Sequence, residues 1–212
     1  LEFRRVLFRS LTAGTFISNQ RDYKRLLAYS SIEHMGILAL GLGLGGAGIY
    51  GSLYHALNHS LIKGALFLVA GNILRVYKTK NPSSVKGMAW QIPGSALLWT
   101  AGFLAITGFP PFGLFFSKII IAKEIIEQGR GLTAFLFFLS LTVVFLGMAY
   151  TLFPMITGSP PDKPAARPER ETILSILLPG LLLAGSLLLG LYLLPPLGKA
   201  ISEAALSLGG GL

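Results

Sequence analysis

Apolar runs of membrane-spanning length, separated by short basic or glycine- and proline-rich turns, set the pattern of this chain. A first full span is predicted over 26–44, closing in the stretch GLGLGGAG, which is expected to break the helix. The next, 49–74, is followed by a basic amphipathic connector carrying Arg75, Lys78, Lys80 and Lys86 with no acid to offset them. The apolar segment after Pro93 is cut by Gly108, Phe109, Pro110, Pro111, Phe112 and Gly113, and two adjacent prolines cannot continue a helix. It reads as two half-helices, 95–107 and 112–127, each short of the ~20 residues a lone span needs, so that together they are expected to make one crossing, with a re-entrant pair the alternative. A further span covers 132–156, residues 159–171 form a solvated proline-rich loop, 172–194 is the last span, and 195–212 is a weakly amphipathic tail. Residues 1–10 match nothing that follows and read as a non-native or assembly scar, while 11–18 resemble the end of a spanning helix, so the chain is expected to be a fragment. The fold class is therefore all-α: a polytopic transmembrane helix bundle with one discontinuous helix.

The polar positions are as informative as the apolar ones. Within YHALNHSLIKGALFLVAG, residues 54–71, His55, His59 and Lys63 follow one another at four-residue steps. On a helix that spacing makes a single stripe ~12 Å long, running along the membrane normal. Ser52, Ala56, Ser60 and Gly64 repeat at the same interval and predict a small-residue face that a neighbouring helix approaches closely. A lysine in the middle of a span costs roughly 2.5–3.5 kcal/mol on insertion scales, which makes Lys63 and the two histidines candidates for a proton pathway.

A second candidate lies at the break. Irregular backbone at membrane depth survives only where protein or a watery cavity satisfies its free groups, and transporters place ion sites at such breaks. Lys118, next to Ser117 and near the positive end of the second half-helix, is a candidate proton site. Lys123 and Glu127 read as an i, i+4 pair at a charged helix end. Glu33, His34 and Glu124 complete the candidates, with solvation at the membrane interface the alternative for Glu33 and His34.

Composition narrows the partners. With 52% hydrophobic and only 13% charged residues, and a mean hydropathy of +0.65, the chain departs from soluble domains and reads as an integral membrane protein. The absence of cysteine removes disulfides, thiolate metal sites and cysteine-bound iron–sulfur clusters, and three histidines leave few metal ligands, so no metal and no redox cofactor is expected. The net charge of +9 lies in short loops between apolar spans, where membrane orientation explains it, and nucleic acid is rejected as a partner. Five crossings place Arg21, Lys24, Arg25, Arg75, Lys78, Lys80, Lys86, Lys163, Arg167 and Arg170 on one side, the cytoplasmic one, against Arg130 and Lys199 on the other.

Three stretches carry a resemblance. DYKRLLAYSSIEHMG, HALNHSLIKGALFLVAGNI and LAITGFPPFGLFFSK occur in that order. They resemble the second half of the antiporter-like proton-translocating subunits shared by respiratory complex I, Mrp cation/proton antiporters, formate hydrogenlyase and group 4 nickel–iron hydrogenases. The resemblance implies the second of two inverted five-helix repeats, with a hydrophilic axis at His55, His59 and Lys63 and a proton site at Lys118. The wording from Ser31 to Gly36 is most similar to the hydrogenase-4 component F type branch, whereas a lysine at position 118 is closer to complex I and Mrp sequences.

The expected function is proton translocation within a complex I-like or hydrogenase-linked respiratory oxidoreductase of the inner (cytoplasmic) membrane. The partners are then other membrane subunits, the lipid bilayer and protons, with Na⁺ an additional candidate, and the redox chemistry lies in other subunits. The alternative is an Mrp-type antiporter subunit exchanging Na⁺ or K⁺ for H⁺. Two further rivals are a haem cytochrome with His34 and His59 as axial ligands, and a membrane scaffold with no transport role.

Overall fold

The computed structural model describes residues 22–158 and 171–209, and every regular element among them is helical. The expectations for 1–10, for 11–18 and for most of the 159–171 loop concern residues outside the described ones. Four of the helices are long and apolar enough to cross a membrane.

Helix α1 spans Tyr23–Leu44 and starts earlier than the apolar pattern implied, because the Asp22 carboxylate caps it, accepting from the backbone N–H of Lys24 at 2.8 Å and Arg25 at 3.2 Å. Only one residue of the glycine-rich stretch leaves the helix. Gly45 takes φ +78°, a conformation open to glycine and strained for other residues, and α2 begins at once, Gly46–Tyr77. The other glycines let α1 and α2 close on each other: a Cβ on Gly48 would lie 2.6 Å from the Gly41 carbonyl oxygen.

A 3₁₀ turn, Pro82–Ser84, and a one-turn helix α3, Met88–Gln91, lead to the interrupted pair α4, Pro93–Thr107, and α5, Gly113–Glu127. Proline at the first position of α4, where its missing donor costs nothing, moves that helix's start back from 95. Gly108 ends α4 at φ +82°, and its N–H and that of Phe109 return to Ala105 and Leu104. Helix α6, Gly131–Thr157, and α7, Ile173–Leu191, follow, and the tail forms a regular helix α8, Pro195–Ser207.

Helix α2 is the hub, packed against α1, α4, α5, α7 and α8. The expected small-residue face is not the packed one: of Ser52, Ala56, Ser60 and Gly64 only Ser52 is buried, and Ala56 and Ser60 are exposed. The helices instead meet the side carrying Tyr54, Asn58, Ile62 and Leu66, so the polar stripe is covered by packing from that side. Three apolar clusters form among the described residues, a small one at Tyr54, Leu189 and Ile201 and two that bear on the site, one around Leu26, Leu27, Ile62, Leu66, Trp99 and Leu114, the other around Ile37, Leu40, Ile121 and Ile125. Along α1 and α5 the residues between the two clusters are Ser30, Glu33 and His34 on one helix and Ser117 and Lys118 on the other, all buried. A polar layer is thus sealed between two apolar ones.

Candidate proton-relay site

The site is assembled from α1, α2 and α5. The i, i+4, i+8 spacing on α2 aims His55, His59 and Lys63 at α1, where helical spacing in turn puts Ser30, Glu33 and His34 on the inward side. Lys63 and Lys118 are each 6% exposed, so neither faces lipid tails. The Lys63 ammonium donates to the Leu27 carbonyl and, at 2.6 Å, to Ser30 Oγ. Lys118 Nζ donates to the Thr107 carbonyl at 3.0 Å. That oxygen belongs to the last residue of α4 and is left over by the helix break, so the break and the lysine satisfy each other.

A chain of contacts joins α1, α2 and α5 within the same polar layer as the two lysines. Glu33 Oε2 lies 3.4 Å from His34 Nε2, His34 Nδ1 lies 2.9 Å from His55 Nε2, and His55 Nδ1 lies 2.9 Å from Ser117 Oγ, which donates to the Leu114 carbonyl at 2.8 Å. Glu33 interacts electrostatically with both lysines. His59 lies beside the chain, its ring 4.4 Å from that of His34 and tilted by 41° to it, and its Nδ1 has no hydrogen-bond partner, nor has Glu33 Oε1. Buried atoms of this kind are places for ordered water.

Glu33 and His34 are therefore central to the cluster, and interfacial solvation is overturned as their reading: both are 1% exposed. The extra turn that Asp22 caps carries them deeper than a start at 26 implied. Glu124 stands apart. It is half-buried near the end of α5, its carboxylate close to Gly46 and accepting from Gln128 Nε2 at 2.8 Å, while Gln128 also donates to the Leu44 carbonyl. Lys123 and Glu127 pair at 3.6 Å on the exposed face.

The break itself is clasped from α2 and α7. A Cβ on Gly113 would collide with the Asn58 carboxamide, whose oxygen accepts from Ser186 Oγ at 2.9 Å, and a Cβ on Gly190 would collide with the Pro111 carbonyl. Asn58, Ser117 and Ser186 are the residues that reading the sequence did not single out for a role. The signal for Ser117 was its place beside Lys118, but no local pattern linked Ser186 to Asn58.

The three histidines also offer one ring nitrogen each grouped within 4.8 Å, a metal-ligand set that separate helices hid from the sequence. Bonds of 2.0–2.1 Å would draw those nitrogens to roughly 3.4 Å apart, and His34 and His55 already bond to each other. A haem between His34 and His59 is ruled out by their 4.4 Å ring separation, which leaves no room for a macrocycle and its iron.

Comparison with known proteins agrees with this geometry. Residues 6–147 match the family described as NADH:quinone oxidoreductase/Mrp antiporter, TM. NADH-quinone oxidoreductase subunit N of Desulforudis audaxviator (strain MP104C) is 35% identical over 205 residues, covering 88% of this chain and 39% of that protein. A hydrogenase-4 component F homolog of Methylacidiphilum infernorum (isolate V4) is 37% identical over 125 residues, 58% of this chain and 26% of that protein. Among solved structures, a chain of respiratory complex I from Thermus thermophilus with bound NADH superimposes with a TM-score of 0.80 at 27% identity, over 97% of this chain and 44% of that one. The chain spans less than half the length of each of these relatives. With a discontinuous helix, a buried lysine at its break and this family match, the chain belongs to the NADH:quinone oxidoreductase/Mrp antiporter transmembrane family.

Proposed function

We propose that this chain is the part of a proton-translocating membrane subunit in which protons pass between Lys63 and Lys118. The observation that supports it most is the unbroken run of contacts from Glu33 through His34 and His55 to Ser117, buried between apolar layers and flanked by the two lysines. Imidazoles suit this work because each ring accepts on one nitrogen and donates on the other. Glu33 lies within electrostatic reach of both amines, and His59 is close enough to His34 to exchange a proton through water.

The complex is a complex I-like or hydrogenase-linked oxidoreductase of the cytoplasmic membrane. Its other membrane subunits and the lipid bilayer are this chain's partners, and the redox groups lie in those other subunits. An Mrp-type antiporter subunit is the second reading, since the family description names that class beside the first. Dependence of proton movement on Na⁺ or K⁺ in sealed vesicles separates the two. The test of both is Lys63→Met and Lys118→Met in the full-length protein within its native complex. Translocation is expected to stop while the complex still assembles; intact translocation would leave only a scaffold.

A further inference from the structure

The hydrogen bonds of the relay have a direction, and one hydroxyl sets it. A serine hydroxyl carries a single proton, and that of Ser117 goes to the Leu114 carbonyl 2.8 Å away. With the hydroxyl in that orientation, His55 Nδ1, 2.9 Å from the same oxygen, is the donor. A neutral imidazole protonated on Nδ1 accepts on Nε2, so the 2.9 Å contact to His34 is donated by His34 Nδ1. His34 Nε2 is left with a lone pair aimed at Glu33 Oε2, 3.4 Å away. Two lone pairs repel, so one proton belongs between them, and the Glu33 carboxyl is its source. The other titratable groups facing this chain are His59, its ring 4.4 Å from that of His34, and the amines of Lys63 and Lys118.

We infer that Ser117 is a positioning residue whose hydroxyl, by turning between the Leu114 carbonyl and His55 Nδ1, sets the direction of the relay and passes one proton at a time. This rests on the proton-channel reading and adds a switch to it. In the forward step the Glu33 carboxyl proton moves to His34 Nε2, the His34 Nδ1 proton to His55 Nε2 and the His55 Nδ1 proton to Ser117 Oγ. Ser117 releases the proton it had directed at Leu114 through water in the polar layer to the neutral amine of Lys118, the next residue along α5, whose Nζ donates to the Thr107 carbonyl. Each bond broken is matched by one formed: Glu33 ends as a carboxylate, Lys118 as an ammonium, and the hydroxyl now points at His55 Nδ1. A second proton follows only after the hydroxyl returns to Leu114 and both rings return to their Nδ1–H forms.

The test uses the full-length subunit in its native complex, in sealed vesicles. Ser117→Ala should lower proton translocation about tenfold or more, in line with the loss of a positioned proton donor, and Ser117→Thr should restore it. A wild-type rate in Ser117→Ala, or a Ser117→Thr variant as defective as Ser117→Ala, overturns the proposal. Should Ser117→Ala fail to assemble, the wild-type complex answers: ¹⁵N resonances of labelled histidine, assigned against His55→Gln, should show His55 protonated on Nδ1 at rest, and protonation on Nε2 alone overturns it. If Lys63→Met and Lys118→Met stop translocation while these tests fail, the switch is wrong and the channel stands. If those two variants also translocate normally, the channel reading itself is lost.

Discussion

Single residues in the polar layer are held by unequal numbers of partners, and this predicts unequal costs for removing them. Lys63 donates to a carbonyl that lies within α1 and to a serine that itself donates to the same carbonyl. Replacing it by the similarly long, uncharged Met leaves those groups satisfied. Lys63→Met is expected to change stability by less than about 1 kcal/mol, because the groups it donates to keep each other as partners. Lys118→Met instead leaves the Thr107 carbonyl of the break without its donor and should cost about 1–3 kcal/mol. The midpoint of thermal denaturation of the assembled complex checks both, with Lys118→Met the lower of the two. The lysines and histidines were legible in the sequence because an ionisable side chain in an apolar span is costly. The contact of His34 with His55 was not, because the partner stands 21 positions away on another helix.

At the scale of elements, the helix break depends on close packing more than on its prolines. The Pro110–Pro111 pair announced an interruption in the sequence, but the structure shows what holds its ends: Asn58 and Ser186 over Gly113, and Gly190 against the Pro111 carbonyl. Gly113→Ala is expected to destabilise by about 1–3 kcal/mol, the usual cost of overpacking, and to slow proton translocation by shifting the start of α5 and with it Ser117 and Lys118. Wild-type stability and transport in that variant would show the contact to be slack. The turn between α1 and α2 depends on a different property of glycine. Gly45→Ala should lose about 1–2 kcal/mol through its left-handed φ alone, with no Cβ contact to blame, as the same denaturation midpoint reads.

For the whole molecule, the arrangement in the membrane is the larger question. On the proposed reading, the basic excess around Lys24, Arg25, Lys78, Lys80 and Lys86 is expected on the cytoplasmic side and the turn near Gln128 and Arg130 on the opposite one. In an otherwise cysteine-free background, Lys80→Cys should react with a membrane-impermeant maleimide only from the cytoplasmic face and Glu127→Cys only from the other. Labelling of both from one face would require α4 and α5 to turn back instead of crossing. Glu171 ties the last spanning helix to the interrupted one: its carboxylate accepts from the N–H groups of Gly94 and Ser95 at 2.9 and 2.7 Å, at the positive end of α4. Asn72 reinforces the join through Ser95 and the Ser175 carbonyl.

The sequence by itself determined that the chain is helical and membrane-spanning, where its long helices lie, and which rare charges sit inside them. Hydropathy and local backbone chemistry are properties of neighbouring residues, and the bilayer penalises every exception. Only the tertiary structure decided which of those charges meet. It buried Glu33 and His34, joined His34 to His55 and His55 to Ser117, kept Glu124 out of the cluster, and left Ala56 and Ser60 of the expected small-residue face of α2 exposed. Those outcomes follow from how three helices rotate and slide against one another, which is fixed by steric fit at glycines such as Gly41, Gly48 and Gly113 and cannot be read along any one of them.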